Sequence, residues 1–220
     1  MTSIQKTKKR AGVRFFEAGM LFNVALQTAK SIKVDDPRAG GQLPALTSIV
    51  FSVISLEAFL NEMTESAEDN ATMDYVPEAV SIFAHLMQDM ETASLENKFI
   101  MSSWVLTGRS LSRGAQPFQD FASLIALRNQ LVHFKPSEIV GGPIVNTEEV
   151  NKKRLKKLES KNILAPAMYQ GSWVYHATTK AVAVWSCKTA SEVVADFASK
   201  VPNGMWGTTV RCFASSFKMN

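Results

Sequence analysis

Cysteine is scarce in this chain: only Cys187 and Cys212 occur in 220 residues. Two thiols so far apart build neither a metal framework nor a disulfide scaffold, and their scarcity fits a reducing compartment. Long apolar runs are missing too. The most apolar stretch, residues 45–60, carries Glu57 and is followed by Asn61 and Glu62, so it reads as too short and too polar at one end for a membrane span. The basic start, MTSIQKTKKRAG, leads into an amphipathic segment rather than the apolar core and small-residue cleavage site of a secretory signal. The sequence has no phosphate-cradling glycine-rich loop and no nucleophile elbow. His85 and His176 lack neighbouring carboxylates or thiols at metal-ligand spacing, so neither a metal site nor a cofactor is expected. Charge of one sign is not in large excess either. The surplus of +4 permits an acidic partner such as nucleic acid without demanding one. The expectation is a cytoplasmic protein with no membrane association.

What is present is helical periodicity. Hydrophobic residues make up 46% and charged residues 20%, an ordinary globular composition, and apolar positions recur at steps of three and four. Helices are predicted over about 13–32, 44–67, from Pro77, 95–106, and through Phe118 to an end near Pro136. A short charged helix is predicted over 148–161, and a last long one over 173–200 ahead of the Pro202-Asn203-Gly204 turn. The second has the clearest stripe: Leu46, Ile49, Val50, Val53, Leu56, Leu60 and Met63. The first draws its apolar surface from Phe15, Phe16, Met20 and Leu21. Fold class is therefore all-α, with a bundle over 1–140 and a helical C-terminal extension over 141–220 packed on it.

Two ionisable residues interrupt apolar stripes. Arg128 continues Phe121 and Ile125 towards Val132, and Glu57 lies between Val53 and Leu60. A charge on such a stripe needs a partner or a use. The structural reading is an ion pair that fixes two helices together, and His133 has an equally plain one, a histidine interacting with the dipole of a helix end. Trp173, Tyr175 and Trp185 read as core rather than as a stacking platform. Lys152, Lys153, Arg154, Lys156 and Lys157, with Lys135, form the candidate RNA-backbone contacts, although such runs are usually solvated faces.

The string Leu127-Arg128-Asn129-Gln130-Leu131-Val132-His133 follows Ser55-Leu56-Glu57-Ala58-Phe59-Leu60-Asn61 by about seventy residues. Together they resemble the signature of the HEPN superfamily, an Arg, a polar residue, a short spacer and a His on a late helix, with the earlier string similar to a preceding helix of many relatives. The resemblance covers residues 13–136. It implies a helical bundle, frequent homodimerisation and, in many members, metal-independent endoribonuclease activity in toxin-antitoxin or antiviral defence systems with a neutralising partner protein. Other members are non-catalytic modules that bind protein or RNA.

Arg128 and His133 are accordingly the expected catalytic pair, with Asn129, Glu57 and Asn61 in support. A ribose 2′-hydroxyl attacks its own phosphate when a base takes its proton and a cation stabilises the phosphoryl oxygens. His133 suits the first task and Arg128 the second. Products would carry 2′,3′-cyclic phosphate and 5′-hydroxyl ends. On a regular helix, five residues separate two side chains by about 140° around the axis. Either the helix end must unwind ahead of Pro136, or the site must form in a groove between two copies.

Overall fold

The computed structural model describes residues 17–33, 41–70, 77–109, 111–133, 155–156, 158–164 and 173–219, and every regular element among them is helical. The elements are α1 (Ala18–Ser31), α2 (Gln42–Asn70), α3 (Glu78–Asp89), α4 (Leu95–Thr107), α5 (Phe118–Val132), α6 (Trp173–Ala177), α7 (Lys180–Lys200) and α8 (Met205–Ala214), then a 3-10 turn, Ser215–Phe217. The all-α expectation holds.

Local chemistry explains most ends. Ser94 caps α4 by accepting from the Asn97 N–H at 3.3 Å. Gly108 closes the same helix with φ 70°, a left-handed conformation natural to glycine. The expected helix over 173–200 is two helices. Thr179 is extended, accepts from the Val182 N–H at 3.0 Å and so starts α7 afresh, while its hydroxyl donates to the Ile163 carbonyl at 2.9 Å. Helix α8 was not expected beyond the turn, yet it buries Trp206 and Val210.

Helix α2 is central and packs against α1, α3, α5, α7 and α8. By length and composition it could cross a membrane. Here its apolar stripe instead forms the core, with Ile49, Val53, Leu56, Phe59 and Met63 all fully buried. Small residues line its seam with α7: Ser48 Oγ and Ser52 Oγ lie 3.4 and 3.7 Å from Cys187 Sγ, and both residues return hydrogen bonds to main-chain carbonyls. Burial raises the Cys187 thiol pKa despite these two hydroxyls, so it serves as a small core residue.

Aromatic rings tie the remaining helices together. Phe22 stacks on Phe217 at 4.7 Å, Phe59 meets Phe197 at 5.5 Å, Phe83 meets Trp206 at 5.3 Å, and Phe99 meets Phe121 at 5.0 Å. Each such pair adds about 0.5–1.5 kcal/mol beyond the area it buries. Residues from both sides of position 140 share one core cluster. Met20, expected on the apolar face of α1, is exposed because Phe22, Ala25, Leu26 and Ala29 form that face instead; Phe15 and Phe16 lie outside the described residues.

Candidate functional site

Along α5 the stripe climbs out of the core. Phe121 is fully buried and Ile125 nearly so, the Arg128 side chain is 19% exposed, and Val132 is 51% exposed. Arg128 meets Glu57 on α2 at the rim of this seam. Its Nη2 donates to Glu57 Oε1, and its Nη1 donates to Asn129 Oδ1 at 3.1 Å. The Glu57 side chain is 42% exposed, so the pair stands at the edge of the core and its carboxylate is within reach of water. Arg128 Nε is buried with no hydrogen-bond partner among the described residues. An unmatched donor of that kind costs about 1–3 kcal/mol.

His133 lies just past α5 with φ −99° and ψ 36°, its N–H donating to the Asn129 carbonyl at 3.0 Å. Its side chain is exposed, as are those of Asn129 and, one turn beyond Glu57, Asn61. The helix ends at Val132, earlier than the expected end near Pro136, with His133 as its C-cap residue; the bond to Asn129 keeps the His133 Cα on the helical path, so the wide angular separation from Arg128 still applies.

Sequence reasoning missed a second polar cluster. Asp120, in the first turn of α5, accepts from Gln116 Nε2 and Trp185 Nε1, each at 2.9 Å, and from Lys161 Nζ. The Lys161 ammonium also sits 5.8 Å from the Trp185 ring centre. Burial pushes the Asp120 carboxyl up, but the donors from Lys161, Gln116 and Trp185 outweigh it and hold its pKa below the usual range. This cluster pins the start of α5 to α7 and to the turn at Lys161. Only the first-turn position of Asp120 was visible in the sequence.

A further missed carboxylate is Glu62, whose Oε1 accepts the N–H groups of Glu17 and Ala18 at 2.6 and 2.8 Å, capping α1 from another helix. Burial raises its pKa despite those two bonds.

Of the basic run, Lys156 is exposed beside buried Leu155 and Leu158, so this segment also packs inwards rather than being a solvated helix alone. Lys135, Lys152, Lys153, Arg154 and Lys157 lie outside the described residues. Trp173 and Trp185 are buried as expected of core, whereas Tyr175, grouped with them, is 36% exposed. Among the described residues no three His, Cys, Asp or Glu side chains gather as a metal-binding set. No family model and no curated protein matches the sequence, and no solved structure matches the fold.

Proposed function

We propose that this protein is a metal-independent endoribonuclease of HEPN type, cytoplasmic and homodimeric, acting in a toxin-antitoxin or antiviral defence setting. The observation that carries the reading is the state of Arg128: held by Glu57 and Asn129, incompletely satisfied at Nε, and still reaching solvent five residues before an exposed His133. An arginine kept only for stability would gain from full pairing, and an apolar residue of similar volume is often as stable or more so. A phosphate approaching the rim would meet a fixed guanidinium. His133 would take the 2′-hydroxyl proton, and Asn129 would orient Arg128.

The rival is a non-catalytic HEPN module that binds protein or RNA. It is favoured by the same two hydrogen bonds, since both Nη atoms already have partners within the fold. Incubating the purified protein and its His133→Ala variant with total RNA separates the two. Fragmentation by the wild type alone is expected, and intact RNA with both would favour the module.

A further inference from the structure

We propose that the cleft between the C-terminal ends of α4 and α7 and the turn leading into α5 is a binding site for a phosphate group. It is an open cleft of about 530 Å³ lined by Thr107, Arg109, Ser112, Gln116, Asp196 and Lys200, among others. That size suits a small ligand, for which sites of about 300–1,000 Å³ are usual.

Arg109 is the central group. Gly108, at φ 70°, lets the chain reverse after α4, and the last turn of that helix then grips the Arg109 backbone. The Arg109 N–H donates to Thr107 Oγ1 at 3.1 Å, and its carbonyl accepts from Ser103 Oγ at 3.3 Å. Its guanidinium, by contrast, makes no hydrogen bond or ion pair with any described residue. A cation with a fixed backbone and an uncommitted head is preorganised for an anion.

Lys200 supplies a second cation, paired with Asp196 one turn earlier on α7. An entering anion competes with Asp196 for that ammonium, while Ser112 offers a neutral hydroxyl from the third side; the Gln116 amide is engaged by Asp120. Donors on three sides of a small space match a tetrahedral phosphate better than a planar carboxylate, and the guanidinium fork grips two of its oxygens. The phosphate could belong to a free phosphorylated small molecule or to an RNA backbone. The start of α5 at Phe118, two residues after Gln116, and Arg128 are separated by about 15 Å, at about 1.5 Å per residue, a span that a few linked nucleotides cover. The site does not depend on the nuclease reading.

The test is titration calorimetry of the full chain with three probes: inorganic phosphate, adenosine monophosphate and a 2′-O-methylated RNA decamer that cannot be cut through a 2′-hydroxyl. At least one should bind the wild type, with Arg109→Ala about tenfold weaker and Arg109→Lys in between. Because Arg109 is exposed, both variants should melt with the wild type. Preference for phosphate or the mononucleotide assigns the site to a free ligand. Preference for the decamer, with a salt slope reduced by about one in Arg109→Ala, assigns it to RNA. Equal affinities of wild type and Arg109→Ala for every probe, or no binding at millimolar concentration, would overturn the proposal.

Discussion

If Arg128 takes the proposed catalytic role, stability and function pull apart there. The side chain sits mostly within the α2–α5 seam with no partner for Nε among the described residues, while its partner Glu57 is 42% exposed and stays within reach of water without it. Breaking a fully buried pair costs about 3–5 kcal/mol, but a rim pair is worth only about 0–1 kcal/mol. Arg128→Met should therefore melt within about 1 kcal/mol of the wild type, or above it, while losing RNA cleavage; thermal unfolding beside a cleavage assay tests both halves. The two perturbed carboxylates act in opposite senses. Asp120, with its folded pKa lowered, contributes stability above the ordinary carboxylate range that is lost as pH falls through the lowered value. Glu62, with its folded pKa raised, favours the folded state while protonated, and that contribution is lost as pH rises through the raised value. Melting curves across acid pH should show Asp120→Asn losing less stability than the wild type at the acid end. Glu62→Gln should lose less as pH climbs out of the carboxylate range. Profiles parallel to the wild type in both variants would contradict these assignments.

Among the elements, two glycines separate a tight fit that can relax from one that cannot. A Cβ on Gly207 would stand 2.0 Å from the Pro202 carbonyl oxygen, a main-chain atom of the turn before α8. On Gly19 it would meet Ser216 Oγ at 2.4 Å and Cβ at 2.8 Å, both side-chain atoms of the 3-10 turn. Overpacking of this kind typically costs about 1–3 kcal/mol. Gly207→Ala should fall at or above the top of that range. Gly19→Ala should cost less and recover when combined with Ser216→Gly, as denaturant unfolding of the single and double variants would show. The helices themselves are legible because one period, 3.6, runs through α2 and α5 without competition. The break before α7 is not, since Thr179 lies inside an otherwise helical pattern and acts only by capping Val182 and reaching Ile163. Helix α8 carries Trp206, Val210 and Phe213 at steps of four and three, a readable pattern hidden behind the stop signals at Pro202 and Gly204.

For the whole molecule, the meeting of Glu57 and Arg128 is legible because each interrupts an apolar stripe. How far the pair stands from the core is not, because it depends on where two stripes leave the bundle together. The Asp120 cluster is invisible for a different reason: Lys161 and Trp185 lie 41 and 65 residues away, and no local pattern links them. Assembly belongs to this scale as well. The rim formed by half-buried Arg128 and exposed Val132 and His133 is proposed to lie near a two-fold axis, so that two copies supply two arginines and two histidines. Light scattering at micromolar concentration should report a dimer, and an active monomer would contradict it. The most direct measurement is end-group analysis of RNA cut by the purified protein, with and without EDTA, beside His133→Ala. Attack by the RNA's own 2′-hydroxyl must leave a 2′,3′-cyclic phosphate, or its opened form, and a 5′-hydroxyl. The expected result is those ends, unchanged by EDTA and absent with the variant. A 5′-phosphate, inhibition by EDTA, or undiminished cutting by His133→Ala would contradict the catalytic pair.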